Sequence, residues 1–252
     1  MTTTFIGVDL AWQSDKNHSG LAVLHGDRSG ASLSAYSTGI ATLNGVVDYI
    51  LAQSTTNTVV AIDAPLIINN LTGQRPCETL IAKKFGRYHA SAHTSNLTRF
   101  PQAGSVQLVQ RLAEAGFTHA PNPASDQYKT GRWCFEVYPH PAQVVLFNLE
   151  RIIKYKNGRV ADKRAGLERL RRFIRTRFGS GDPPLQMNDR LEELLAQPLE
   201  PLTGRALKHY EDTLDALVCA YLALFYWAWG ATKNEMIGDL ETGYIINPTW
   251  GL

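Results

Sequence analysis

The first third of the chain alternates apolar and polar positions in a way that predicts three strands and a helix. Residues 4–11 form a β-branched and aromatic run that contains Asp9 close to its end. Residues 20–25 and 32–37 alternate well enough for two more strands, and the turn residues between them favour an antiparallel meander. Thr42 can cap a helix whose apolar positions then recur with helical spacing.

Two further apolar runs are typical of strands that carry a carboxylate. Residues 58–63 are continuously apolar up to Asp63, as expected of a buried parallel strand. Residues 133–138 contain Glu136, and the Pro-His-Pro sequence that follows should break this strand before a helix at 142–149.

The rest of the chain predicts helices with one polar interruption. A polar, poorly periodic insertion covers about 65–101, and a basic helical region covers about 150–200. Helical spacing of apolar residues is found at about 103–116, 161–178, 189–196 and 204–228, and a short strand is expected within 238–246. With no repeat or obvious linker, the order of elements predicts one mixed α/β domain over 1–252.

The net charge of +2 conceals two charged regions. Residues 151–177 hold eleven Lys and Arg against Asp162 and Glu168, so this segment carries +9 and the remainder −7. A helix so rich in cations is expected either to face nucleic acid or another phosphate polymer, or to be neutralised by the acidic remainder.

Cysteine usage and the N-terminal sequence indicate a cytoplasmic protein. Three widely spaced cysteines form neither a disulfide framework nor a zinc motif. The first residues lack the features of a signal peptide, and the longest apolar stretch, 216–229, is too short to span a bilayer, so no membrane association is expected.

The carboxylates form the main candidate site. Asp9 and Asp63 come at the carboxyl ends of apolar strands, where open α/β sheets place their ligands. Asp212 and Asp215, three residues apart, project from one face of the last long helix. Four such groups coexist near neutral pH only with cations or protons among them, and their hard oxygen atoms favour magnesium or manganese. Two such ions would suit phosphodiester hydrolysis, one activating water and the other stabilising the leaving oxygen.

Six sequence blocks resemble one family. They are Ile6–Trp12, Ala61–Leu66, Gly86–His93, Phe135–His140, Tyr210–Ala216 and Gly238–Tyr244, and they span nearly the whole chain. Together they resemble the bacterial and archaeal family called domain of unknown function 429. The resemblance implies a ribonuclease H-like mixed α/β sheet with flanking helices and a helical insertion, and the family is often labelled as a nuclease.

The resemblance also implies roles for the acidic residues. Ribonuclease H-like nucleases place an Asp on the first strand, an acid on the fourth and one or two on a late helix, which Asp9, Asp63, Asp212 and Asp215 match. Glu136 has no such counterpart; it is a fifth catalytic candidate, a group that supports a ligand, or the partner of an arginine.

Several other residues are candidates for substrate binding. His89 and His93 are four apart, the spacing of a two-histidine metal site on a helix, but contact with phosphate or nearby backbone is the favoured interpretation. Basic residues interleaved with aromatic ones can bind a nucleic-acid backbone and stack its bases. The candidates are Trp12, Arg87, His89, His93, His140, Arg171 and Arg172.

The sequence therefore predicts a metal-dependent nuclease or phosphodiesterase that leaves a 3′-hydroxyl. Two alternatives stay open. One is an ATP-dependent phosphotransferase of the actin and sugar-kinase type, although Asp9-Leu-Ala-Trp12 lacks its glycine-rich phosphate loop. The other is a non-catalytic module that binds nucleic acid or protein through the basic helix.

Overall fold

The computed structural model describes residues 2–13, 17–119 and 130–251. Its main sheet contains seven strands in the order β5-β6-β4-β1-β2-β3-β7. The strands are β1 (Thr3–Asp9), β2 (Ser19–Asp27), β3 (Gly30–Ile40), β4 (Thr58–Asp63), β5 (Thr118–His119), β6 (Arg132–Glu136) and β7 (Leu185–Gln186). Within this sheet β2 is antiparallel to both of its neighbours, and the other recorded pairings are parallel.

Helices cover both faces of the sheet. They are α1 (Leu43–Gln53), α2 (Pro76–Phe85), α3 (Gly104–Glu114), α4 (Pro139–Leu146), α5 (Val160–Phe173), α6 (Asp189–Ala196) and α7 (Gly204–Trp229). One apolar layer joins the sheet to α1 and α3, and a larger one joins the opposite face to α7 and the remaining helices. The expected mixed α/β sheet with flanking helices is thereby confirmed.

Strand alternation decides which residues face α7. Phe5 belongs to the layer on the α7 side, whereas Ile6 and Val8 belong to the layer of α1 and α3. The same period of two on β4 sends Val59 to the α7 side. Asp9 and Asp63, each an even number of residues further along its strand, therefore belong on that side as well.

Some elements differ from those expected. The insertion at 65–101 contains α2 and a 3₁₀ turn at Gly86–Tyr88. Helix α4 begins at Pro139 and not at 142, because a proline at the first helical position loses no intrahelical hydrogen bond. The basic helix ends at Phe173 and continues as a π-helical turn, Ile174–Phe178. The tail forms a separate hairpin of β8 (Asn234–Asp239) and β9 (Gly243–Pro248).

Helix α7 is the central helix of the fold. The segment Gly204–Thr232 is long and apolar enough to cross a membrane by length and composition, unlike the shorter stretch at 216–229 considered alone. However, 78% of its most apolar window is buried within the protein. In this structure the helix packs on the sheet and contributes many residues to the larger of the two apolar layers.

Candidate active site

Two aspartates end neighbouring strands of the sheet. Asp9 and Asp63 are the last residues of β1 and β4, and they are direct partners in the parallel register. Because both side chains lie on the face covered by α7, the two carboxyl groups approach the same part of that helix. Asp212 and Asp215 lie in that part of α7.

Two glycines allow α7 to reach the sheet. A Cβ atom on Gly7 would lie 1.9 Å from the carbonyl oxygen of Ala216, and one on Gly20 would lie 2.4 Å from that of Asp212. Neither clash could be relieved by a side-chain rotation, since both partners are backbone atoms. The missing side chains of β1 and β2 therefore bring the two helical aspartates against the strand ends.

Asp215 is fully buried and engaged through both carboxylate oxygens. The hydroxyl of Tyr155 donates a hydrogen bond to Oδ1 at 2.6 Å, and Lys156 Nζ lies 2.7 Å from Oδ2. The Tyr155 hydroxyl in turn accepts a hydrogen bond from Gln143 Nε2 at 3.0 Å. Tyr155 and Lys156 lie in the loop before α5, so two consecutive residues hold this carboxylate.

Asp212 has a separate cation. Lys208, one helical turn earlier on α7, donates to Asp212 and lies 2.9 Å from Glu211 Oε1. The Lys208 side chain is 50% exposed, whereas that of Asp212 is 6% exposed. The Lys208–Asp212 pair is therefore partly exposed to solvent through Lys208, whereas Asp215 is buried.

Burial and mutual repulsion shift the pKa values of these carboxyl groups. Burial raises the pKa of Asp63 well above its usual value; Lys156 opposes this effect, and Asp9 adds to it. Burial and the neighbouring Asp9 raise the pKa of Asp212 to about 8. Burial is the largest single effect on Asp215 and opposes its ionisation, but Lys156, His140 and the hydrogen bond from Tyr155 together lower the pKa of that group. Without a further cation, the site favours protons on Asp63 and Asp212 at neutral pH.

Asp9 lies between two small cavities. The first, about 180 Å³, is also lined by Asp63, Lys156 and aromatic residues. The second, about 150 Å³, is also lined by Asp212 and Lys208. Asp9 Oδ2 is buried, and none of the residues that the structure describes forms a hydrogen bond with it. Lys156 and Lys208 thus line the cavities on either side of Asp9.

Glu136 is held by an arginine at the floor of the first cavity. Arg75 Nη1 and Nη2 lie 2.9 and 2.6 Å from its two carboxylate oxygens, and the Leu66 backbone N–H donates at 2.9 Å. Arg75 Nε also bonds the buried Glu78 at 2.8 Å. On β6, Glu136 pairs with Ile62 and not with Asp63. Among its three suggested roles, these contacts favour partnership with an arginine.

The carboxylates supply suitable donor chemistry for a metal ion. In the described residues, no group of three or more His, Cys, Asp or Glu side chains is placed to hold a metal ion. The unpartnered Asp9 Oδ2 and the repulsion among Asp9, Asp63 and Asp212 nevertheless indicate a need for positive charge there. Oxygen-only donors fit magnesium or manganese.

Three of the candidate substrate-binding residues line the first cavity: Trp12, His93 and His140. The Trp12 ring packs edge-on against Phe100 at a centroid distance of 4.6 Å. Burial, with Lys156 nearby, lowers the pKa of His140 to about 4, so this imidazole is neutral at pH 7. In the part of the chain that the structure describes, its Nδ1 atom has no hydrogen-bond partner.

The other four candidates lie elsewhere. Arg87 is exposed and stacks on Tyr88, with its guanidinium carbon 4.7 Å from the ring centroid. His89 ends the 3₁₀ turn with φ of 65°, so it does not share a helix face with His93. Arg172 is exposed on α5.

Arg171 occupies a position different from the one expected. It is 3% exposed, and its guanidinium bonds the Tyr210 hydroxyl at 2.6 Å, Glu168 at 2.7 Å and the carbonyl oxygen of Gln197. This arginine ties α5 to α7 and is not available to a substrate.

The basic segment thus divides into parts with different surroundings. Lys156 enters the carboxylate site, and Arg171 is internal. Arg175 pairs with Glu192 at 3.1 Å, which is partial neutralisation by the acidic remainder. Arg169 and Arg172 stay exposed on α5.

Sequence reasoning missed the cations of the site. Lys156 was one of eleven basic residues in its segment, and no local spacing links it to Asp215. Lys208 had a usable signal, because it precedes Asp212 by four residues and so shares its helix face. Arg75 also had no local signal, since Glu136 is 61 residues away.

The fold and site together define a mixed α/β domain with a buried aspartate–lysine cluster at the carboxyl ends of its central parallel strands. The chain belongs to the family described as protein of unknown function DUF429, whose model matches residues 7–237. This match confirms the family resemblance of the sequence blocks. No curated protein matches the chain.

Proposed function

We propose that this protein is a metal-dependent nuclease or phosphodiesterase with a ribonuclease H-like fold. The observation that carries the proposal is the convergence of Asp9, Asp63, Asp212 and Asp215 from β1, β4 and α7. That distribution over a first strand, a fourth strand and a late helix is the one such nucleases use. The strand order β3-β2-β1-β4-β6, with β2 antiparallel, supports the same fold.

Asp9, Asp63 and Asp212, with Asp215 beside them, would hold magnesium or manganese. When bound, the metal supplies positive charge that activates water and stabilises the oxygen leaving from phosphorus. Water adds across one P–O bond, and the proposed cleavage leaves a 3′-hydroxyl. Burial of the carboxylates keeps bulk water from weakening their attraction for the cation.

Residues around the first cavity would position the substrate. Lys156 contributes an ammonium group beside Asp9 and Asp63, where a phosphate oxygen would lie. Trp12 offers an aromatic surface for a base. His140, neutral at pH 7, supplies a hydrogen-bonding group and not a fixed charge.

The test is hydrolysis of several DNA and RNA forms with Mn²⁺ by wild type, Asp9→Asn and Asp212→Asn. The matched control is Asp48→Asn, because Asp48 is an exposed aspartate on α1. We expect turnover by wild type and control, loss of at least about 100-fold in both site variants, and a Mn²⁺-induced thermal shift in wild type. Wild-type inactivity on every substrate, with no such shift, would overturn the proposal.

Binding measurements on the same proteins separate the two alternative functions. Salt-sensitive nucleic-acid binding that persists in both carboxylate variants without turnover would favour a binding module. Calorimetric binding of ATP would favour the phosphotransferase.

A further inference from the structure

The two lysines of the site differ in how firmly they are held. Lys208 lies on the same helix as Asp212 and Glu211, and half of its side chain is exposed. Lys156 comes from a distant loop, and its side chain is 28% exposed beside a fully buried Asp215. Lys156 is therefore the more strongly fixed of the two lysines.

Helix α5 fixes the loop that carries Lys156. A Cβ atom on Gly166 would lie 2.1 Å from the Lys154 carbonyl oxygen, so the helix backbone contacts the loop directly. Tyr155 is completely buried and bonds both Asp215 and Gln143. These contacts hold the ammonium of Lys156 in the site without help from a ligand.

Asp215 differs from the other aspartates in the oxygen atoms that it has free. Tyr155 takes Oδ1 and Lys156 takes Oδ2, so a metal ion could bind Asp215 only by displacing one of them. Asp9 Oδ2 lies buried between the two cavities, with neither a hydrogen-bond partner nor a cation in contact among the described residues. His140, which is only 9% exposed, also lines the first cavity, and its Nδ1 atom has no hydrogen-bond partner within residues 2–13, 17–119 and 130–251. Among the described residues Asp215 Oδ2 also makes no hydrogen bond, but the ammonium of Lys156 lies 2.7 Å from it and already supplies its counter-charge.

We propose that Lys156 permanently fills one of two cation positions, so that the site holds a single divalent ion through Asp9, Asp63 and Asp212. Asp215 is then a positioning residue for the ammonium and not a metal ligand. An ammonium group has three N–H donors, so Lys156 can pair with Asp215 and still donate to a phosphate oxygen. This inference rests on the proposed function, because it specifies the cations of the same site.

The experiment counts Mn²⁺ ions bound per chain, by calorimetry and by electron paramagnetic resonance of free and bound Mn²⁺. We expect one ion in wild type and two in Lys156→Met, where Asp215 Oδ2 becomes available. Lys156→Arg, which keeps the charge, should stay at one. Lys154→Met is the matched control, since it removes an exposed lysine from the same loop, and it should also stay at one.

The outcomes distinguish the inference from the proposed function. Two ions in wild type would overturn the inference and leave the nuclease proposal standing, and so would an unchanged count of one in folded Lys156→Met. No Mn²⁺ binding by wild type or any variant would overturn both. If Lys156→Met does not fold, the counts for wild type and Lys156→Arg decide, and one ion in each supports the inference.

Discussion

Arg75 provides the sharpest test of how the floor of the site is stabilised. Its guanidinium is 2% exposed and makes four hydrogen bonds, two to Glu136, one to Glu78 and one to the Ile67 carbonyl oxygen. Arg75→Met keeps much of the volume but leaves two buried carboxylates without their cation. Removal of one partner from a buried ion pair costs about 3–5 kcal/mol. We therefore expect the free energy of unfolding to fall by about 4 kcal/mol at pH 7.

The assay is urea unfolding, with melting temperature as a second measure. For a chain of this size, about 4 kcal/mol corresponds to a melting temperature lower by about 8–16 °C. Arg175→Met is the matched control, because Arg175 pairs with Glu192 at the surface, where both side chains are more than one third exposed. Exposed pairs contribute about 0–1 kcal/mol, so the control should lose no more than that.

A second substitution tests whether uncompensated charge is the cause. Glu136→Gln added to Arg75→Met removes one buried carboxylate that has lost its partner. The double variant should be more stable than Arg75→Met alone by about 0.5–3 kcal/mol, the range of coupling between contacting residues. If Arg75→Met loses no more than the surface control, or if Glu136→Gln destabilises it further, the reasoning from buried charge is wrong.

Three more predictions concern the sheet, the carboxylates and the basic surface. Gly7→Ala should lower the free energy of unfolding by at least about 3 kcal/mol, because its Cβ would overlap the backbone of α7. Gly86→Ala is the control and should be tolerated, since its Cβ would meet only a side-chain oxygen at 3.5 Å. Equal melting temperatures for the two variants would contradict this prediction. With chelator present, wild type should lose stability as pH rises from about 4 to about 8, since the pKa of Asp212 moves from an ordinary 3.8 to about 8 and the folded protein holds a proton that the unfolded chain releases. In thermal melts from pH 4 to pH 9, Asp212→Asn should lose a few kcal/mol less stability than wild type. If the stability of the variant and that of wild type fall equally with pH, the prediction is wrong. Charge reversal of the exposed Arg169 and Arg172 should weaken nucleic-acid binding and reduce its salt dependence, as measured by fluorescence anisotropy; an unchanged salt slope would remove α5 from the interface.

Local sequence patterns predicted the features that depend on short-range geometry. Strand alternation and the apolar runs placed Asp9 and Asp63 at strand ends, and the three-residue spacing placed Asp212 and Asp215 on one stretch of helix. These features follow from periods of two and about 3.6 residues, which are visible within a few positions.

Contacts between distant residues could not be derived in the same way. Arg75, at the start of α2, meets Glu136 at the end of β6, and Lys156, in the loop before α5, meets Asp215 on α7. Charge counting made Arg171 a surface cation, although its partners lie on α7 and in the segment after α6. Opposite charges far apart in sequence reveal that a partner exists but not which one it is.

The net charge of the site explains why a cation and a proton compete there. Four aspartates face two lysine ammoniums, so full ionisation would leave an excess of negative charge in buried surroundings, and burial accordingly raises the pKa of Asp63 and of Asp212. Those two groups are not the ones in contact with Lys156; Asp215, which is, has a lowered pKa. The lysine therefore relieves one carboxylate and leaves the deficit of positive charge on the Asp9 side. A divalent ion bound there would release protons from Asp63 and Asp212, so its apparent affinity should increase with pH.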